Sequence, residues 1–223
     1  LKLFCDDVMQ LMIDTGRALT IVTTTKTVAA SGADYTSVRE ALKSCTDANY
    51  YNRYIINVAN GTYNEIDIFV PSTSRVGYDP NMIQIVGESR AGVIIRTDGT
   101  STDLSPADYQ FGDYSGIAIN TIPLSNRHTF WMQGSLTLKN LTVHSNDVHY
   151  LIHTDSYNWT SYCKYENVTF IHEENTNHAY SVVGYGQSLD QYAEYINCSF
   201  EYRTTLLTAN YAWGVYWHNI LNG

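Results

Sequence analysis

Charge is scarce in this sequence. Asp, Glu, Lys and Arg make up 16% of its 223 residues, against the quarter or so usual in globular domains. Basic residues are the scarcest. Beyond Leu138 only Lys139, Lys164 and Arg203 occur, and the formal net charge is −9. With no basic stripe to displace counterions, no nucleic-acid partner is expected. No apolar run approaches the ~20 residues of a membrane-spanning helix, so no membrane insertion is expected, and no signal-peptide pattern is present. Cys5, Cys45, Cys163 and Cys198 show no CxxC and no metal-ligand spacing. Neither a disulfide framework, a metal site nor a cofactor is expected. The chain opens at Leu1 rather than at a Met, and is expected to be processed or excised from something longer.

What is there is neutral polarity. Apolar residues reach 44%, enough for a globular core, and 19 tyrosines stand among many Asn, Thr and Ser. Such a composition suits surfaces that handle neutral hydrogen-bonding ligands such as sugars. Tyr and Thr are also good strand residues in their own right.

Two repeats interleave between Leu138 and Asn219. The first is Asn140-Leu-Thr-Val, Asn167-Val-Thr-Phe and Asn197-Cys-Ser-Phe, with starts 27 and 30 residues apart. The second is Ile152-His-Thr-Asp, Gly184-Tyr-Gly-Gln and Tyr216-Trp-His-Asn, with starts 32 and 32 apart. Interleaved repeats imply a stacked array in which each unit buries its apolar face against its neighbours. Units rich in β-branched and aromatic residues make the array a β-solenoid. Asn140, Asn167 and Asn197 are expected to stack as a ladder at a tight turn, since Asn tolerates the left-handed conformation. Val143, Phe170 and Phe200 are expected to stack inside. Three of the chain's Asn-x-Ser/Thr sequons (Asn60, Asn140, Asn158, Asn167 and Asn197) belong to this repeat, where Asn has a structural reason to be.

Upstream, residues 1–16 read as a helix with an a/d seam at Leu1, Phe4, Val8 and Leu11. It is either a short oligomer-forming neck or a cap over the β-domain. Residues 17–223 read as one β-helix domain, with strand-like sequence at 18–30. Ser37 and Glu40 make a capping box for a short helix with Val38, Ala41, Leu42 and Cys45 on its apolar face. Four strands follow, at 54–58, 66–70, 82–86 and 93–96, with Gly61–Glu65 read as a separator. Residues 99–126 read as an inserted loop, in which Tyr109, Phe111, Asp113 and Tyr114 either wall a ligand groove or form a plain surface excursion. The solenoid resumes at Phe130-Trp131-Met132, and is expected to continue beyond Gly223 or to be covered there by another subunit.

A helix at 33–44, a strand, Gly61-x-Tyr63-x-Glu65, a further strand and Ile85-Val-Gly-Glu88 together resemble the opening of pectin-lyase-like right-handed parallel β-helix proteins, the pectinesterase branch above all. The resemblance covers roughly residues 31–98. It implies an all-β right-handed parallel β-helix whose N-terminal end is covered by the helix, with Tyr63 and Glu65 as scaffold. The pectinesterase phrases Gln-Asp-Thr-Leu and Asp-Phe-Ile-Phe-Gly are absent; Gly186-Gln187-Ser188-Leu189-Asp190 is the nearest echo. The resemblance therefore does not carry esterase chemistry across, nor that of a calcium lyase, which needs clustered carboxylates and a basic proton abstractor.

If the offset phrases align on successive coils ~4.8 Å apart, His153, Tyr185 and Trp217 form one column and Asp155, Gln187 and Asn219 another. Both would lie on one face, because side chains alternate along a strand. Aromatic rings beside amides and a carboxylate make a sugar platform; the same residues also serve as plain strand-end residues. A hydrolase needs two carboxylates roughly 5–9.5 Å apart. Asp155, Glu173, Glu174, Asp190, Glu194 and Glu201 are available, and Glu174 and Glu201 sit at nearly matching offsets after their ladder asparagines. His153 or His218 would serve as a base near neutral pH. The offset phrases on this fold also resemble phage tail spikes and appendages that handle surface glycans, commonly as trimers. That likeness implies a polysaccharide partner, a homotrimer and a virion-surface or extracellular place. A free carbohydrate-active enzyme of the pectinesterase/pectin-lyase class and a non-catalytic structural stalk are the other readings.

Overall fold

The computed structural model describes residues 20–65, 68–70, 80–97, 128–132, 134–146, 148, 150–155, 161–174, 181–186, 191–204 and 213–218. The neck at 1–16 and the loop at 99–126 lie outside the described residues. In chain order the first elements are β1 (Val22–Val28), α1 (Val38–Lys43), β2 (Asn52–Val58), β3 (Gly61–Glu65), β4 (Ile68–Val70), β5 (Ile83–Gly87) and β6 (Val93–Thr97). There follow β7 (His128–Met132), β8 (Leu136–Asn146), β9 (Tyr150–Asp155), β10 (Ser161–Glu174), β11 (Ser181–Gly186), β12 (Gln191–Ile196), β13 (Ser199–Thr204) and β14 (Trp213–His218). Every pairing among them is parallel. The chain winds as an all-β, right-handed parallel β-helix of about four turns.

The coil has three walls. The first runs β1-β2-β5-β8-β10-β12. The second runs β3-β6, then the C-terminal parts of β8 and β10, then β13. The third runs β4-β7-β9-β11-β14. The first two walls meet at the asparagine turn. Asn140, Asn167 and Asn197 have φ of 53°, 56° and 51°, the left-handed region that Asn enters at lower cost than other side-chain-bearing residues. Asn167 Nδ2 donates to Asn140 Oδ1 at 2.9 Å, and Asn197 Nδ2 to Asn167 Oδ1 at 3.0 Å. The expected ladder is therefore present. One coil earlier Gly87 lies beside it, where a Cβ would stand 2.2 Å from the Asn140 carbonyl oxygen, so only glycine fits.

Inward columns fill the bore. Ile95, Val143, Phe170 and Phe200 pair in sequence, and the rings of Phe170 and Phe200 stack with centroids 5.1 Å apart. Beside them run Ile56, Ile85, Leu138, Tyr165 and Tyr195. Full burial of side chains such as Phe170, Ile85 and Leu138 stabilises the fold by roughly 1.5–3 kcal/mol each, whereas Phe200, at the end of its column, is 38% exposed.

At the N-terminal end α1 buries Val38, Ala41 and Leu42 against this core, as the resemblance implied. Ser37 Oγ accepts the Glu40 N–H at 3.2 Å. The reciprocal half of the expected capping box differs. Glu40 turns to Lys43 at 3.3 Å, and the buried Glu65 instead accepts from the Val38 N–H at 2.6 Å and the Ser37 hydroxyl at 2.8 Å. Burial pushes the Glu65 carboxyl above its ordinary range, against the opposing pull of these hydrogen bonds. Tyr63 donates to the Ala59 carbonyl at 2.7 Å, so both residues are scaffold. Gly61–Glu65 is itself a strand, not a separator: Tyr63 and Glu65 are buried while Thr62 and Asn64 are exposed, the period-two pattern of a half-buried strand.

Candidate functional site

The third wall carries the offset phrases, and its register differs by one residue from the expected alignment. Gly184 pairs with His153 and Tyr216, Tyr185 with Thr154 and Trp217, and Gly186 with Asp155 and His218. Tyr185 and Trp217 do share a column, but Thr154, which is fully buried, precedes them where His153 was expected. A one-residue slip exchanges the two faces of a strand, so His153, Tyr185 and Trp217 do not form a single column. Gln187 and Asn219 lie outside the described residues. Asp155, Tyr185, Trp217 and His218 are placed by their backbone pairing.

His153 belongs to a ring cluster instead. Its centroid lies 4.3 Å from that of His128 and 4.8 Å from that of Tyr150, and His128 lies 6.2 Å from Trp131. Trp131 and Tyr150 are buried yet stand apart from the core cluster, so they pack on the outside of the wall. In the same strands Thr129 and Phe130, Leu151 and Ile152, and Val182 and Val183 are each buried in succession. Two adjacent inward residues mark a bend in each coil, and alternation counted from sequence cannot anticipate it.

The carboxylates expected to pair are also parted. Glu201 lies opposite Ile171, whereas Glu174 lies opposite Thr204. Glu174 is 2% exposed, but Glu201 is on the open face. They face opposite sides of one sheet, so they are not an acid–base pair.

What the second wall does gather on its outer face is His144, Glu173, Glu201 and Arg203, from three successive strands. Arg203 spans two coils. Its Nη1 donates to Glu173 Oε1 at 3.0 Å, its Nε to Glu201 Oε1 at 2.8 Å and its Nη2 to Glu201 Oε2 at 3.0 Å. His144 Nε2 stands 3.1 Å from Glu173 Oε1. Partial burial raises the Glu173 carboxyl, but the Arg203 hydrogen bond and His144 outweigh it and hold it below the usual carboxylate range. The Arg203 hydrogen bond holds Glu201 low as well. Both are therefore carboxylates near neutral pH. Acid catalysis at a glycosidic oxygen wants one raised carboxyl, which this pair does not supply. The row can accept and donate hydrogen bonds, and its charges are pre-arranged.

Sequence reasoning considered Glu173 and Arg203 singly and missed the row. Its signal lay at a constant distance from the ladder: the sixth residue after each ladder asparagine is Asn146, Glu173 and Arg203, and these three pair across the coils. Among the described residues no group of three or more His, Cys, Asp and Glu could hold a metal ion. Cys45, Cys163 and Cys198 are free, and burial pushes the Cys163 thiol up to about 12, which leaves it inert as a nucleophile. No described helix is long and apolar enough to cross a membrane.

No protein-family model matches the chain, and no curated protein sequence matches it. Solved structures similar to it include pectin methylesterase PemA from Erwinia chrysanthemi (12% identity, TM-score 0.37, covering 74% of this chain and 56% of that one). A pectin methylesterase in complex with hexasaccharide VII gives the same values. A mutant pectin methylesterase in complex with hexasaccharide IV gives 12% identity and a TM-score of 0.38, over 88% of this chain and 67% of that one. The chain thus spans 56% of the length of the first two. Its continuous parallel pairing makes it a right-handed parallel β-helix, with an asparagine turn between two of its walls and a helix at its N-terminal end.

Proposed function

We propose that this chain is a glycan-recognising β-helix module, of the kind a phage tail spike or appendage presents to a host surface polysaccharide. The observation that supports it is the fixed row His144–Glu173–Arg203–Glu201 on the accessible outer face. Carboxylates and a guanidinium held on one face offer strong, directional, charge-assisted hydrogen bonds to hydroxyls. Successive coils repeat at ~4.8 Å, which lays such groups along a line that an extended polymer can follow. With both carboxylates ionised, the row binds rather than cleaves.

The test is a glycan-array screen followed by mass spectrometry of each bound glycan. The expected result is binding with the glycan recovered intact. Shortened products would turn the reading toward a polysaccharide hydrolase, and no binding to any glycan would overturn it. In the same reading the 1–16 seam joins three copies. Phe4→Asp or Leu11→Asp then converts a trimer to a monomer in sedimentation, and a wild-type monomer contradicts that assembly.

A further inference from the structure

On the first wall, across the asparagine ladder from the row, two tyrosines stand on consecutive coils. Tyr162 pairs in register with Tyr192, and their ring centroids lie 6.4 Å apart with planes inclined at 60°. Tyr192 is 56% exposed, the highest value among the exposed large hydrophobic side chains described. Both rings face outward, since Cys163, Ala193 and Tyr195 on the alternate parity belong to or pack against the core.

The ring of Tyr162 is fixed. Its hydroxyl donates to Glu194 Oε2 at 3.0 Å, and its backbone N–H donates to Ser135 Oγ at 3.0 Å. Two residues further along both strands, Lys164 Nζ lies 3.6 Å from the same Glu194 oxygen. Further along again Lys139 pairs with Glu166 at 2.7 Å. The surface is thus two tilted rings followed by two ion pairs, each internally neutral.

We propose that Tyr162 and Tyr192 form a ring-stacking subsite for a neutral pyranose of the polysaccharide. This rests on the glycan reading above and adds its ligand class. The apolar CH face of a sugar lies over the tyrosine rings, and its hydroxyls reach Glu194 as acceptor and Lys164 as donor. Neutrality follows from the pairing. Lys164 and Lys139 are each matched by a carboxylate, so the surface holds no excess cation for an acidic sugar, and the chain's net charge of −9 repels one. A lone exposed Tyr is ordinary on a strand. Two in register, one of them immobilised, with a donor and an acceptor beside them, make a recognition surface.

The experiment compares wild type, Tyr192→Ala, Tyr192→Phe and Arg203→Ala on an array of neutral and carboxylate-bearing oligosaccharides. The expected result is that wild type binds neutral glycans, that Tyr192→Ala weakens them about tenfold and that Tyr192→Phe stays within about twofold, because stacking needs the ring and not its hydroxyl. Binding confined to carboxylate-bearing glycans overturns the ligand class. Unchanged affinity in Tyr192→Ala beside a loss in Arg203→Ala overturns the subsite and leaves the glycan reading standing. So does a Tyr192→Ala variant whose only change is loss of self-association, which makes the tyrosines a protein contact. Failure of wild type to bind any glycan removes both.

Discussion

The asparagine ladder and the outer row cross the same coils, yet they use their polar groups differently. In the ladder each rung spends its amide on the next: Asn167 donates to Asn140 and accepts from Asn197. Arg90 binds across the same coils. From the loop after β5 it reaches Asn167 Oδ1 at 3.2 Å, Thr169 Oγ1 at 2.6 Å, the Asn197 carbonyl at 3.2 Å and Ser199 Oγ at 2.5 Å. In the row, Glu173, Glu201 and Arg203 also touch across coils, but Glu201 and Arg203 remain open to water. Exposed ion pairs add little to stability. The same repeat therefore yields a seam that hydrogen bonds tie across the coils, and an outer face on which ion pairs stand open to water.

The largest expected effect falls on the ladder. Asn167→Ala places Ala in the left-handed region, at about 1–2 kcal/mol, and removes two ladder bonds at about 1 kcal/mol each. A loss of about 3 kcal/mol in denaturant unfolding is expected. Asn167→Gly keeps the turn and costs less. Equal losses in the two variants would mean that the left-handed turn carries no part of the effect. Next comes Arg90→Ala, expected to cost about 2 kcal/mol by leaving the acceptors of two coils without their charged donor. A neutral result would show that the coils hold register without the clamp.

The pH dependence sharpens the contrast between inside and outside, and the two carboxyls run in opposite directions. Buried Glu65 is raised above its ordinary 4.5, so its folded form holds the proton more tightly. The stability this adds is present below pH 4.5 and is lost as pH rises through the folded value. Outer Glu173 is lowered below 4.5. Its contribution is present above pH 4.5 and is lost as pH falls through the folded value. In urea unfolding across pH 3–7, Glu65→Gln is expected to remove the first dependence and Glu173→Gln the second. A shared direction would contradict the assigned environments.

The parts legible in sequence were those fixed by one residue's backbone preference. The asparagines announce a left-handed turn wherever they recur, and from them follow the coil register and the inward Val143–Phe170–Phe200 column. Gly61–Glu65 was obscured because Gly and Asn are turn residues, though Tyr63 and Glu65 alternate as a strand requires. The offset phrases aligned by side-chain type, His153 with Tyr185 and Trp217, while the backbone pairs Tyr185 with Thr154. Side-chain class is a poor guide to register where a coil bends. The row was hidden because its members come from different phrases, and each alone looks like a solvated charge.

The most direct test is glycan binding by Arg203→Ala, measured at a temperature where circular dichroism shows it as folded as wild type. The account predicts binding lost with the unfolding midpoint unmoved, while Asn167→Ala, below its own midpoint, still binds. Binding retained by a folded Arg203→Ala would contradict the assignment of recognition to the outer row.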